Sequence, residues 1–199
     1  MSSISKKVYF PHLNGLRFFA ATLVIFHHIE QYKYYAGQEN IWGGVQIDNV
    51  GVKAVSLFFV LSGFLITYLL LAEHKKFGRI SLQNFYMRRI LRIWPLYYLI
   101  VFCVLLLPFL IDLKAMFGYD FFDKPYITTI TLLLILPNIT RLFISNLIGG
   151  NQLWSIGVEE QFYIFWPVCI RYFIHRVLSF LLVFIALKFL LTFLIQIIL

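Results

Sequence analysis

Apolar residues in this chain come in continuous runs of about twenty, separated by short stretches where charge, glycine and proline collect. A half-buried strand alternates apolar and polar positions with period two, and a membrane barrel repeats that alternation in segments of about ten residues. These runs do neither. About twenty apolar residues, at about 1.5 Å each, make a helix as long as the hydrocarbon core is thick. The pattern therefore predicts an all-α fold, a polytopic transmembrane helix bundle with five to six membrane segments at about 16–35, 51–72, 93–111, 126–139, 151–169 and 177–199. The fourth is the exception, because Pro125 and Pro137 bracket only about a dozen residues, a length that suits a short or re-entrant segment better than a crossing. The sixth runs to Ile197, Ile198 and Leu199 with no polar tail, so a chain truncated from a larger bundle is expected.

Charge orients the segments. The loop from Glu73 to Arg92 carries Lys75, Lys76, Arg79, Arg88, Arg89 and Arg92 against the single acid Glu73, which places it in the cytoplasm by the positive-inside rule. Lys6 and Lys7 put the N-terminus on the same side, and the loop with Glu39 and Asp48, which has no Lys or Arg, falls outside. Parity then depends on the fourth segment. If it dips and returns, Arg171, His175 and Arg176 are cytoplasmic, as the charge rule prefers, and re-entry is the reading adopted.

Composition narrows the class. The 199 residues are 61% hydrophobic and 13% charged, with 17 Lys+Arg against 9 Asp+Glu for a net charge of +8. A nucleic-acid-binding domain would share the charge but not the membrane-length runs, so the expected partner is the lipid bilayer and not nucleic acid. Cys103 and Cys169 both lie inside apolar runs, which argues against a disulfide. His27 and His28 are adjacent and point apart on a helix, so no metal site is expected.

Several polar residues remain inside the runs. Arg17 and His28 are eleven residues apart, within about 20° of one helical face, and Gln31 continues the stripe. Small Ala20 and Ala21 with Val24 fill the space between, so this stripe is expected to face the bundle interior, with His27 turned about 80° to 100° away. His28 lies about 16 Å along the helix from Arg17, near mid-membrane, where an ionisable side chain is either a helix-to-helix hydrogen bond or a functional group. Neutral imidazole is suited to taking a proton from a hydroxyl. Ser62 and Gly63 sit among bulky aromatics, either for close helix packing or for backbone approach to a ligand. Arg89 and Arg92 share a helical face at a membrane mouth and suit phosphate, from a soluble ligand or from anionic lipid. Glu159 shares a face with Ser155, Gln152 and Trp166, as a buried polar partner or as an acid complementing a helix N-terminus; Glu160 is about 100° round.

Four blocks carry a resemblance. They are Leu13-Asn14-Gly15-Leu16-Arg17 through His28; Phe58-Phe59-Val60-Leu61-Ser62-Gly63-Phe64; Phe85-Tyr86 through Arg89-Ile90-Leu91-Arg92-Ile93-Trp94-Pro95; and Trp154-Ser155-Ile156-Gly157-Val158-Glu159-Glu160-Gln161-Phe162-Tyr163 with Trp166-Pro167. In this order, over Tyr9 to Arg176, the chain resembles the acyltransferase 3 family of integral membrane, O-acetyltransferase-like enzymes. That resemblance implies a bundle of about ten spans, of which residues 1–199 are a partial membrane acyltransferase domain, its amino-terminal half. It implies the plasma (inner) membrane of a bacterium, and transfer of an acyl group, commonly acetyl, from cytosolic acyl-CoA to a hydroxyl of a carbohydrate or other cell-envelope acceptor. Arg17 and His28 match the family's first-helix Arg and His, and Arg89 and Arg92 match its cytosolic Arg-x-x-Arg pair. Ser62, Gly63, Glu159, Trp154, Ser155 and Tyr163 match the remaining signatures. Ser56 departs, standing where many members carry an acid.

The resulting expectation is that acyl-CoA docks from the cytosol on Arg89 and Arg92 while His28, assisted by Arg17 or Glu159, acts as general base. Two alternatives stand beside it: a proton-coupled transporter, which would show inverted repeats and broken helices, and an inactive truncated remnant.

Overall fold

A computed structural model describes residues 10–35, 37–39, 41, 45–110, 124–143 and 150–198. The segment 111–123 and the predicted loop residues 36, 40 and 42–44 lie outside the described residues. Among the described residues every regular element is helical: α1 (Pro11–Tyr35), α2 (Val45–Phe77), α3 (Leu82–Leu110), α4 (Pro125–Leu133), α5 (Pro137–Phe143), α6 (Trp154–Tyr172) and α7 (Val177–Ile198), with 3-10 turns at Asn151–Leu153 and Ile174–Arg176. Three stretches are long and apolar enough to cross a membrane, Val50–Phe77, Leu82–Leu110 and Ile174–Leu194. The protein is an integral membrane protein. The helix α1, predicted as a span, is 25 residues long but carries Arg17, Glu30 and Lys33 and is not among the three. The chain divides between Tyr68 and Leu69, within α2, into two compact units.

In the first unit α1 and α2 run antiparallel. Phe10, just before α1, meets the rings of Phe64 and Tyr68 with centroids 6.0 and 5.0 Å away, whereas His27 near the other end of α1 lies on Gly51 near the start of α2. A Cβ on Gly51 would stand 2.5 Å from the imidazole, so only glycine lets the two helices close at this height. Ala20, Ala54, Leu61 and Ile66 fill the buried seam.

Local sequence sets the breaks in the second unit. α2 ends at Gly78, whose φ of 68° is the left-handed region glycine enters freely and whose N–H donates to His74 O at 2.8 Å. Ser81 precedes α3 and its Oγ accepts from the Asn84 N–H at 3.4 Å. Prolines open both α4 and α5, where a missing N–H costs nothing. Between them the chain turns through a Schellman motif: Leu136 N–H donates to Thr131 O at 2.8 Å and Ile135 N–H to Leu132 O at 3.1 Å. Ile135 occupies the left-handed position at φ 58°, which is costly for a β-branched residue, and its side chain is buried in the core.

At about 13 Å for nine residues and about 10 Å for seven, neither α4 nor α5 is long enough to cross a core about 30 Å thick. The carbonyls at the end of α4 have no intrahelical partners and need donors from elsewhere. Two tyrosines of α3 supply them: Tyr97 Oη donates to Leu132 O at 2.7 Å, fully buried, and Tyr98 Oη to Leu133 O at 3.1 Å. Around this point Tyr97, Val101 and Val104 of α3, Leu132 and Ile135, and Leu153 form the core of the unit.

The helix α6 returns antiparallel to α3, as successive contacts show: Trp94 with Glu160, then Tyr86 with Ile164, and finally Arg79 with Arg171, which line one cavity. The basic segments 73–92 and 171–176 therefore meet at one end of this unit, and the rings of His74 and His175 are 6.2 Å apart. α7 packs on α6 through Phe180, stacked on Phe173 at 4.8 Å and tilted against Trp166 at 5.8 Å.

Close approach of α5 to α6 depends on Gly157, where a Cβ would meet Asn138 Oδ1 at 2.6 Å and the Pro137 ring at 2.9 Å. Asn138 and Gln161 exchange two carboxamide hydrogen bonds, 3.3 and 3.2 Å, across the same contact. Gly157→Val should lower stability by about 1–3 kcal/mol through overpacking against the rigid proline ring. A thermal unfolding series in detergent, followed by size-exclusion, checks this; a variant melting with the wild type would show that the contact is not tight.

Candidate active site

The candidate residues fall into two groups, one in each unit. In the first, Ala20 and His27 occupy the seam with α2, and Arg17 and His28 stand on its border, half-buried. The seam with α2 thus takes Ala20 of the Arg17–His28 stripe together with His27, and Arg17 and His28 stand beside it. Gly51 opens a groove that takes the His27 imidazole, and this rotates α1 so that His28 lies to the side. The His27 and His28 rings are 5.0 Å apart.

His28 Nδ1 is 3.3 Å from Gln31 Oε1. A carboxamide oxygen only accepts, so Nδ1 carries the proton in this arrangement and Nε2 keeps its lone pair. Glu30, one turn before the end of α1, accepts from Lys33 Nζ at 2.9 Å and from the Ile41 N–H at 2.8 Å, tying the following loop to the helix. On α2, Ser62 and Gly63 are half-buried, and Gly63 O accepts from Thr67 Oγ1 at 2.7 Å.

In the second unit the structure brings Arg89, Glu159 and Tyr163 together. The Arg89 guanidinium, half-buried, lies over the rings of Tyr163 at 5.1 Å and Phe85 at 5.5 Å, while Tyr163 Oη donates to Glu159 Oε2 at 3.1 Å. Arg89 feels the field of both Glu159 and Glu160. Arg92 is exposed on α3, so the two arginines differ: one faces protein rings, the other is open.

Glu160, about 100° round the helix from Glu159, is the more buried carboxylate, 8% exposed against a half-buried Glu159. Its Oε2 accepts from Trp94 Nε1 at 3.2 Å and its Oε1 accepts no hydrogen bond. A buried carboxylate oxygen without a donor is costly and marks a place where a donor group is readily taken up. Sequence spacing selected Glu159 and passed over Glu160. The available signal was Trp94, a ring N–H that needs an acceptor once buried.

Trp154 and Ser155 take other places. The Trp154 ring lies under Arg141 at 5.6 Å, and Ser155 Oγ donates to Gln152 O at 3.2 Å, closing the 3-10 turn. Among the described residues no three His, Cys, Asp or Glu side chains come together to hold a metal.

Known proteins share this framework. The chain is 31% identical over 171 residues to "O-acetyltransferase OatA" of Staphylococcus aureus, covering 84% of this chain and 26% of that protein. It is 32% identical over 167 residues to "Putative peptidoglycan O-acetyltransferase YrhL" of Bacillus subtilis, covering 80% of this chain and 23% of that one. The chain thus spans about a quarter of the length of the curated relatives it matches. No solved structure matches it. Residues 10–199 match the family model described as an acyltransferase domain, a stretch that takes in the His28 border of α1 and the Arg89, Glu159 and Tyr163 cluster alike, and the chain belongs to the acyltransferase 3 family.

Proposed function

We propose that this chain serves in O-acyl transfer, moving an acyl group, acetyl in our reading, from cytosolic acyl-CoA to a hydroxyl of a cell-envelope carbohydrate. Support comes from the family, from relatives whose names specify O-acetyl transfer and in one case peptidoglycan, and above all from the His28 to Gln31 hydrogen bond. That bond leaves Nε2 as a base on a half-buried imidazole within an apolar helix.

In this reading His28 Nε2 takes the proton of the acceptor hydroxyl as its oxygen bonds to the acyl carbon. The carbon–sulfur bond breaks, and His28 passes the proton to the departing thiolate, so charge and atoms balance. Arg17, on the same face of α1, supplies positive charge along that flank. Arg92, exposed, and Arg89, held flat on the Tyr163 ring, bind the phosphates of acyl-CoA, and Glu159 keeps Tyr163 in place through its hydroxyl. Positive charge at 73–92 and 171–176 on one end of the second unit favours a cytoplasmic side for these segments, and with Lys6 and Lys7 for the N-terminus, while the bacterial relatives favour the plasma (inner) membrane of a bacterium as the setting.

His28→Ala should lower the rate of O-acetylation by about 10²–10⁴-fold, the usual contribution of a general base, with unchanged amounts of protein in the membrane. Release of acetate from acetylated cell-wall carbohydrate, quantified by mass spectrometry, reads the outcome, and an active variant removes His28 from the mechanism. The double variant Arg89→Ala, Arg92→Ala should raise the KM for acetyl-CoA by about tenfold or more, as expected for lost charge-assisted hydrogen bonds. An unchanged KM would return both arginines to a topological role.

A further inference from the structure

The two basic segments that meet at one end of the second unit flank an open cavity of about 340 Å³, lined by Arg79, Ile80, Ser81, Leu82, Gln83 and Arg171, with both arginines exposed. At about 30 Å³ per water this is room for roughly eleven waters, so it admits a group much larger than a lone ion. Its polar lining is rich in donors: two guanidiniums, the Ser81 hydroxyl and the Gln83 carboxamide.

Among the described residues no carboxylate lines the cavity. Glu73, the acid nearest in the chain, accepts from the Ser81 N–H at 3.0 Å and pairs with Arg88 at 3.7 Å. Among the described residues the ion pairs are Lys33 with Glu30 and Arg88 with Glu73, so neither Arg79 nor Arg171 has an acidic partner. Two like charges from segments far apart in sequence thus converge on one space with nothing to offset their repulsion. Buried Ile80 and half-buried Leu82 place hydrocarbon beside the donors, and the mostly apolar α7 begins six residues after Arg171. Donors beside hydrocarbon suit an anionic group carried at a membrane surface.

We propose that this cavity binds a phosphate ester, gripped by the Arg79 and Arg171 guanidiniums. The inference uses neither His28 nor the Arg89 and Arg92 pair; a lipid ligand stands apart from the acyl-transfer reading, whereas a coenzyme A ligand rests on it. Two sources carry that chemistry, the headgroup of an anionic phospholipid and the phosphates of a soluble nucleotide such as coenzyme A.

Two arms separate them. The chain in phosphatidylcholine nanodiscs is tested for retention of added phosphatidylglycerol by native mass spectrometry, and separately titrated with coenzyme A by calorimetry. Arg79→Gln with Arg171→Gln should weaken the ligand that binds by about tenfold or more, whereas Lys75→Gln with Lys76→Gln, which removes equal charge outside the cavity, should change affinity less than about twofold. Arg171→Lys, which keeps charge but loses the two-pronged fork, should weaken binding by about threefold and decides the matter if the double variant fails to fold. Cavity-dependent binding in the lipid arm, the nucleotide arm or both supports the site and names its source. No binding by the wild type in either arm, or equal losses in the two double variants, overturns it.

Discussion

Backbone polar groups cannot be left open in a setting without water, and the second unit is organised around one place where the chain breaks that rule and repairs it. α4 stops after nine residues and turns back, which frees carbonyls at its end. Tyr97 and Tyr98, adjacent on α3, reach Leu132 O and Leu133 O, while the Schellman bonds run from Ile135 to the same Leu132 O and from Leu136 to Thr131 O. Tyr97 does this from the centre of the hydrophobic core, so a single side chain both fills space and satisfies a carbonyl. A buried tyrosine without an acceptor and a helix end without a donor would each cost about 1–3 kcal/mol; joined, they cost neither. Because α4 and α5 stay on one side of this point, α6 can return along α3 and bring its acidic motif opposite Arg89.

Glycine decides the spacing elsewhere. Gly51 admits the His27 ring and Gly157 admits Pro137 and Asn138, each at a distance that any Cβ would violate. In a protein whose helices gain little from hydrophobic association with one another, such close approach supplies the van der Waals contact that holds them. The consequence for chemistry is indirect. By taking His27 into the seam, Gly51 sets the rotation of α1 and leaves His28 at the border with its Nε2 unencumbered by Gln31.

The parts legible in the sequence were those governed by period and length. Continuous apolar runs forecast helices, the prolines at 125 and 137 forecast a short interrupted segment, and the structure has helices at both and three stretches fit to cross a membrane. Arg89 and Glu159 were selected from spacing and Tyr163 from the family resemblance, and the three meet. What escaped was rotation. A helical wheel gives relative angles along one helix but not which angle faces a given partner, so it did not show that His27 enters the seam with α2 or that Glu160 is buried more deeply than Glu159. The partners that fix rotation, Gly51 for α1 and Trp94 for α6, lie on other helices, 24 and 66 residues away in the chain.

Charge in this chain does more than orient it. A positive-inside distribution needs only a net count on one side and is indifferent to where each side chain points. The basic residues at the shared end of α2, α3 and α6 are not placed indifferently: Arg88 is paired with Glu73, Arg89 lies between two rings, and Arg79 and Arg171 open on one cavity without an acid. Topology explains the surplus of cations, and the proposed phosphate ester would offset the convergence of Arg79 and Arg171.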